Sequence, residues 1–177
     1  ASGSGFLAVP RTHVNLIAAG LAVFLESELP QSATILSALA PSSFAGLTSS
    51  FVMWLLSGGT LALHHPFDED VLAQQIETER CDTLVAPAPL ALRMAEAGVL
   101  SSMPSLRHVV GLWRVPEQVG SSALWPDNGC QMTDVYLFGE VGLFAARRAE
   151  ARPRLYQLQL LDGGDDADGP VEQPVDA

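Results

Sequence analysis

Short apolar runs alternate with helical patterns along most of this chain, and this alternation restricts the folds that it can adopt. Runs typical of buried strands are Thr34 to Leu39, Thr60 to His64, Thr83 to Ala86, Leu106 to Gly111 and Gln131 to Tyr136. Strands that are separated by helices are joined by crossovers and form mostly parallel sheets with helices on both faces. The sequence therefore predicts an α/β fold.

Helix signals fall between these runs. The first predicted helix carries apolar residues from Leu16 to Leu25 at helical spacing, with Thr12 as its N-cap. The other predicted helices are Leu47 to Leu56 ending at Gly58-Gly59, Asp68 to Arg80, and Leu90 to Ala97 ending at Gly98. Leu155 to Leu161 alternates with glutamines and is a candidate edge strand. We therefore expect one domain over residues 1–161 and an acidic, disordered tail over residues 162–177.

Charge and cysteine content argue against several classes of function. The formal net charge is −11, and all nine basic residues are arginines because the chain has no lysine. Such a chain repels polyanions, so we expect no nucleic-acid partner. Cys81 and Cys130 lie far apart and outside any metal-ligand motif, which predicts a cytoplasmic location without a zinc site. The longest apolar stretches are too short to span a bilayer, so we expect no membrane partner.

An ordered set of short motifs supports a more specific interpretation. Ser2-Gly3-Ser4-Gly5 runs into Pro10-Arg11-Thr12-His13, Pro41 precedes the helix that ends in Gly58-Gly59, and Tyr136 lies four residues before Glu140. This order resembles the adenylate-forming superfamily, and most of all its aryl-acid AMP ligases and the adenylation domains of nonribosomal peptide synthetases. The resemblance covers residues 1–148. It implies a mostly parallel sheet flanked by helices, as part of the N-terminal domain of an adenylate-forming enzyme.

The resemblance also implies a chemistry and a set of site residues. Enzymes of this superfamily join a carboxylate to the α-phosphate of ATP, release pyrophosphate and use Mg-ATP. The nucleotide-binding residues that it implies are Ser2, Gly3, Ser4, Gly5, Gly111, Tyr136 and Glu140, with Glu140 also as the magnesium ligand. In such sites the backbone N–H groups of a glycine loop hold phosphates, and a metal neutralises the charge that develops.

Several positions depart from the superfamily pattern. The departures are Leu7 for a lysine after the glycine loop, Phe44 (or Ser42, without a gap) for the histidine of a Pro-x-x-His motif, Leu112 for a second glycine after Gly111, and Leu137 for the glycine after the aromatic residue. Loss of one preorganised group of this kind typically costs about 10²- to 10³-fold in rate. We therefore assign no catalytic residue, and whether the chain is an enzyme stays open.

Most candidate residues also have a purely structural explanation. Glu140 is either a magnesium ligand or a solvated loop carboxylate, and the Ser2 to Gly5 loop is either a phosphate loop or a flexible linker. His64 and His65 precede Asp68 and Asp70 without the spacing of a metal site. We expect His108 to be a hydrogen-bonded core histidine. Core positions are also expected for Phe51, Met53 and Trp54.

Two functions are compatible with this mixture of matches and departures. The first is a degenerate, non-catalytic adenylation-like domain without a cofactor, which serves as a structural or interaction module of a biosynthetic assembly line. Its expected partners are other domains of a megasynthase or a second copy of the chain. The alternative is an active acyl- or aryl-acid AMP ligase that uses Mg-ATP and whose missing parts are supplied elsewhere.

Overall fold

The computed structural model describes residues 9–114 and 124–152, and these residues form one six-stranded sheet. The strands are β1 Thr34–Ser37, β2 Thr60–Leu63, β3 Thr83–Pro87, β4 His108–Trp113, β5 Gln131–Phe138 and β6 Gly142–Arg147. Their order across the sheet is β2-β1-β3-β4-β5-β6. The first five strands are parallel, and β6 runs antiparallel to β5. The predicted α/β fold with a mostly parallel sheet is confirmed.

One helix precedes β1, and the others lie between the first four strands. They are α1 His13–Ser27, α2 Phe44–Gly46, the π-helix Leu47–Val52, α3 Met53–Ser57, α4 Glu69–Thr78 and α5 Ala88–Glu96, with a short 3-10 turn at Leu100–Ser102. Because α2, the π-helix and α3 follow one another without a break, we call them together the 44–57 helical segment. Among the described residues, no helix is long and apolar enough to cross a membrane.

Side chains at the helix ends explain where the helices begin and stop. Thr12 accepts a hydrogen bond from the backbone N–H of Asn15, whose side chain bonds back to Thr12, and this capping box starts α1 as predicted. Asp68 accepts from the backbone N–H of Val71 at the start of α4. Gly58, with φ of 66°, adopts the left-handed conformation that ends α3.

The sheet buries one apolar cluster on each face. Leu84 and Val109 point into the cluster that α4 and α5 cover, whereas their neighbours Val85 and Val110 point into the other. Met53, from α3, belongs to this second cluster. Since successive side chains of a strand point to opposite faces, both faces of the central strands are apolar. This is the two-sided covering that the apolar strand runs predict.

A buried ion pair joins β5 to the end of β6. Asp134 is fully buried and accepts two hydrogen bonds from the Arg148 guanidinium, at 2.7 Å to Nε and 2.8 Å to Nη2. The indole Nε1 of Trp113 donates to the same carboxylate at 2.8 Å. Nη1 of Arg148 donates to the carbonyl of Ala151. Every charge in this cluster is therefore paired, as a buried charge requires.

The structure departs from the predicted elements in three places. Strand β6 was not predicted, because Gly-Leu-Phe-Ala-Ala-Arg lacks the β-branched residues that mark strands and gains its order from pairing with β5. The predicted helix Leu47 to Leu56 begins earlier, at Phe44, and is π-helical over Leu47–Val52. Phe51 is 44% exposed instead of buried in the core. The candidate strand Leu155 to Leu161 and the predicted tail over residues 162–177 lie outside the described residues.

Candidate functional site

The structure places the predicted site residues in different surroundings. Ser2, Gly3, Ser4 and Gly5 lie outside the described residues, as does Leu7. Gly111 and Tyr136 are buried in the central strands β4 and β5, whereas Glu140 is exposed in the turn that joins β5 to β6. Their roles in nucleotide binding therefore stay predictions, and Glu140 has the most accessible position of the three.

Glu140 contacts the beginning of the 44–57 helical segment. Its Oε2 atom accepts a hydrogen bond of 3.2 Å from the backbone N–H of Phe44, 96 positions earlier in the chain. Ser43 caps the same helix start by accepting from the N–H of Gly46. The contact brings together two sequence motifs, because Phe44 is the residue at the histidine position of Pro-x-x-His.

Arg11 adds a third segment to this contact. Its Cζ atom lies 3.6 Å from the centre of the Phe44 ring, within the range of a cation–π interaction. Its Nη1 atom donates to the carbonyl of Val141 at 3.2 Å. Arg11 therefore links the start of α1, the Phe44 ring and the turn next to Glu140. We call the set Arg11, Phe44, Glu140 and Val141 the turn cluster. The sequence offered one signal for Arg11, its place in Pro10-Arg11-Thr12-His13.

Two small depressions share the Glu140 side chain. One has a volume of about 240 Å³ and is lined by Ser43, Ala45, Arg114, Leu137, Gly139 and Glu140. The other, of about 310 Å³, is lined by Val9, Arg11, Ser42, Phe44, Leu47 and Glu140. Sites for small ligands usually measure about 300 to 1,000 Å³. The volumes of the two depressions therefore lie below or near the lower limit of this range, and Glu140 lines both of them.

Leu137 occupies the position at which the resemblance expects a glycine. It is half-buried on β5, and its side chain lines the smaller depression. A glycine at this position would leave the backbone open to close approach by a ligand, whereas a leucine fills that space. Leu137, which stands where the resemblance expects a glycine, therefore lies in the lining of the same depression as Glu140.

Close packing accounts for Gly111 and Tyr136 within the fold. A Cβ atom on Gly111 would lie 2.2 Å from Cε of Met132 and 3.1 Å from Cβ of Ala88, so a side chain here would require the end of Met132 to move and Ala88 to shift by a few tenths of an ångström. The ring of Tyr136 is stacked on Phe144 of the neighbouring strand, with ring centres 6.2 Å apart. Both residues therefore have a packing role, whatever their relation to a nucleotide.

The histidines do not form a metal site in the described part of the chain. His64 is buried and uses both ring nitrogens, since Nε2 accepts from the N–H of Asp68 and Nδ1 bonds Gln75 Oε1. His65 is exposed. Within residues 9–114 and 124–152, no group of three or more His, Cys, Asp or Glu side chains could hold a metal ion. Glu140 is the one carboxylate among the residues that line the two depressions, and Mg²⁺ held by one carboxylate needs substrate phosphates and water as further ligands.

Burial raises the pKa of both cysteine thiols. Desolvation raises the pKa of the Cys81 thiol to about 11, with Glu79 and Asp82 adding to the shift. It also raises the pKa of Cys130. Both thiols stay protonated at neutral pH and are therefore poor nucleophiles.

His108 differs from the prediction of a fully hydrogen-bonded core residue. It is only half-buried at the start of β4, and its Nδ1 is buried without a hydrogen-bond partner among the described residues. Desolvation lowers its pKa, an effect that Asp82 and Glu28 partly oppose. The imidazole is therefore neutral at and above neutral pH.

Comparisons with solved structures identify the same fold in adenylate-forming proteins. ATP-bound MatB from Rhodopseudomonas palustris gives a TM-score of 0.62 at 14% identity, over 80% of this chain and 29% of that one. The N-terminal subdomain of NpsA from Klebsiella oxytoca, in complex with 3-hydroxyanthranilyl-AMSN, gives 0.57 at 21% identity, over 78% and 36%. Unliganded O-succinylbenzoate coenzyme A synthetase from Bacillus subtilis gives 0.56 at 16% identity, over 77% and 29%.

These structures are longer than the region that they share with this chain, which spans between 29% and 36% of their lengths. A comparison with curated proteins finds no match. The family model described as AMP-binding enzyme, however, matches residues 8–158, which include every described strand and helix. The six-stranded, mostly parallel sheet also agrees with the N-terminal domain of adenylate-forming enzymes. The chain therefore belongs to the AMP-binding enzyme family.

Proposed function

We propose that this chain is a non-catalytic, adenylation-like domain in which a packing contact replaces the nucleotide site. The observation that carries the proposal is the hydrogen bond of 3.2 Å from the Phe44 N–H to Glu140. It occupies one oxygen of the carboxylate that the resemblance assigns to magnesium. It also places an aromatic ring, instead of an imidazole that can bind a phosphate or carboxylate, beside that carboxylate.

The turn cluster further reduces what the site offers to a polyphosphate. The guanidinium of Arg11 stacks on Phe44 and bonds the Val141 carbonyl, so part of its donor capacity is spent within the protein. Since the chain has no lysine, none is available as a second cation. A transferring phosphate needs several preorganised donors and cations at once. At this position the described residues supply one carboxylate, the engaged Arg11, and Arg114 in the lining of the smaller depression.

The apolar wall at Leu137 supports the same conclusion. Leu137 lines the depression of about 240 Å³ beside Glu140, where the superfamily pattern has a glycine. A branched side chain there excludes a nucleotide that must approach the backbone. We propose that the domain acts as a structural or interaction module of a biosynthetic assembly line, with other megasynthase domains as partners. This setting rests on the resemblance to nonribosomal peptide synthetase adenylation domains.

The test is carboxylate-dependent exchange of pyrophosphate into ATP. The assay uses a panel of fatty, aryl and amino acids, both on the 177-residue chain and on the natural protein that carries this sequence. We expect no exchange above that of the matched Glu140→Ala variant. Exchange clearly above this control with any acid would reject the non-catalytic proposal. It would favour the alternative, an acyl- or aryl-acid AMP ligase that uses Mg-ATP.

A further inference from the structure

The middle of the 44–57 helical segment is wound as a π-helix. Leu47–Val52 is π-helical and lies between the α-helical turns Phe44–Gly46 and Met53–Ser57. Because its hydrogen bonds span five residues instead of four, a π-helical turn holds one residue more than an α-helical turn, and such turns are rare and often lie at functional sites. The segment therefore contains an extra residue between its two ends.

The buried hydroxyl groups of the π-helix are unequally bonded. Thr48, Ser49 and Ser50 are each at most 2% exposed. Thr48 Oγ1 donates to the Phe44 carbonyl at 2.8 Å, and Ser50 Oγ lies 2.7 Å from Ser37 Oγ on β1. Ser49 Oγ, however, is buried with no hydrogen-bond partner among the described residues. A buried hydroxyl without a partner costs free energy, so the π-helical winding is unfavourable for Ser49.

An α-helical winding of the same residues offers Ser49 a partner. In an α-helix a serine hydroxyl can bond the carbonyl four residues earlier, which for Ser49 is the carbonyl of Ala45. Absorbing the extra residue into an α-helix also turns one end of the segment against the other by about 100° and moves it by about 1.5 Å along the axis. The two windings therefore differ in a buried hydrogen bond and in the position of one end of the segment.

The two ends of the segment are held by different kinds of contact. At the C-terminal end, Met53 is fully buried and Trp54 Nε1 donates to a backbone carbonyl at 2.8 Å. The start is held by the bond of 3.2 Å from the Phe44 N–H to the exposed Glu140 and by the stacking of Arg11 on the Phe44 ring. Contacts to exposed side chains rearrange at a lower cost than contacts inside the core. A change of winding therefore moves the start of the segment.

We propose that the π-helix is a conformational switch of the turn cluster. Rewinding Leu47–Val52 as an α-helix bonds the Ser49 hydroxyl and withdraws the Phe44 N–H from Glu140, which frees the carboxylate. The form described above is the closed one, in which Phe44 and Glu140 are in contact. This inference uses the same contact as the proposed function, but it concerns how the contact opens. Its test measures no catalysis, so either proposal can fail without the other.

Nitrogen-15 relaxation dispersion on the full 177-residue chain detects exchange between two such forms on the microsecond-to-millisecond timescale. We expect exchange at the backbone amides of residues 44–52 and of Glu140, and none in α4, which is α-helical throughout. Ser49→Ala removes the hydroxyl that only the α-helical form bonds, so we expect the population of the minor form to fall about fivefold. The matched control is Thr78→Ala, which removes a hydroxyl bonded to the Gln74 carbonyl on α4 and leaves that population unchanged.

Deletion of Ser49 tests the extra residue itself. Because the deletion leaves a continuous α-helix between the same two ends, we expect the chain to fold, as measured by circular dichroism, and to lose the exchange. Deletion of Gln74 from α4, which has no extra residue, turns the buried Ile76 away from the core and is expected to unfold the chain. Three results would each overturn the proposal: no exchange at residues 44–52 of the wild-type chain, a minor population that Ser49→Ala leaves unchanged, or an unfolded Ser49 deletion variant.

Discussion

Two carboxylates six residues apart differ in their surroundings: Asp134 lies in the buried first half of β5, here called the buried end, and Glu140 lies in the turn after the strand, here called the turn end. Asp134 is fully buried and bonded to Arg148 and Trp113, with every partner on neighbouring strands or directly after them. Glu140 is exposed in the turn, and its hydrogen bond to the Phe44 N–H is 3.2 Å long. The first carboxylate is part of the packing that defines the fold, and the second lies beside Phe44 and Leu137, two positions at which the sequence departs from the pattern that the resemblance predicts.

The comparison indicates that the contacts that support the fold and those around Glu140 are separate. The buried end retains a fully paired network, which is costly to alter because removal of one partner leaves an unpaired charge. The turn end is held by contacts of modest energy, so substitutions such as Phe44 and Leu137 are tolerated there without loss of the sheet. The chain therefore keeps the family fold although its site departs from the family pattern.

The largest expected effect is on stability at the buried end. Arg148→Ala leaves the Asp134 carboxylate buried without its cation, and we expect it to lower the free energy of unfolding by about 3 to 5 kcal/mol. The adjacent Arg147 pairs with Glu28 at the surface, with 42% and 63% of the two side chains exposed. Arg147→Ala is the matched control, with an expected loss below about 1 kcal/mol. Urea unfolding measures the free energy of unfolding of both variants. Equal losses for Arg148→Ala and Arg147→Ala would contradict the difference between the buried ion pair and the surface ion pair.

A smaller effect is expected at Gly111, where packing and nucleotide binding make different predictions. Gly111→Ala forces the end of Met132 to move and Ala88 to shift slightly, and we expect a loss of about 1 kcal/mol in the free energy of unfolding. Gly142, where an added Cβ meets nothing within 4 Å, provides the control Gly142→Ala. Thermal and urea unfolding compare the stability of the two variants. If Gly111→Ala were as stable as the control, the packing role of this glycine would be rejected.

At the turn end, we expect little change in stability. Glu140→Gln removes the negative charge but keeps an oxygen that can accept from the Phe44 N–H, so the free energy of unfolding changes by less than about 1 kcal/mol. Glu140→Ala removes the acceptor as well and is expected to cost slightly more. Urea unfolding at neutral pH measures the free energy of unfolding of both variants. A loss as large as that of Arg148→Ala would show that Glu140 supports the fold.

The smallest expected effect concerns pH and His108. Because burial lowers the pKa of His108, the folded chain binds fewer protons than the unfolded chain near the ordinary histidine pKa of 6.5. The stability contributed by the neutral imidazole is present above that pKa and is lost as the pH falls below it. His108→Asn should therefore flatten the loss of stability between about pH 7.5 and pH 5.5. His65→Asn, at an exposed position, is the control. An unchanged slope for His108→Asn would contradict the assignment.

Much of the fold follows from local sequence signals, whereas the site depends on distant contacts. The Thr12 cap, the five parallel strands and the end of α3 at Gly58 are all marked by neighbouring residues. Strand β6 lacks such a signal, since pairing with β5 determines it. The link from Arg11 to Val141 spans 130 positions, and no local pattern indicates it. Sequence motifs located Glu140 and Phe44, but only the structure shows that they touch.

The central claim is that the Glu140 site does not hold Mg-ATP, and a calorimetric titration tests it most directly. Mg-ATP is titrated into the wild-type chain and into Glu140→Ala at neutral pH. We predict a dissociation constant weaker than about 1 mM for both proteins, because the described residues at this site provide one carboxylate, the engaged Arg11 and Arg114, and the chain has no lysine. A micromolar dissociation constant for the wild-type chain that is lost in Glu140→Ala would contradict the account and assign Glu140 to a working nucleotide site.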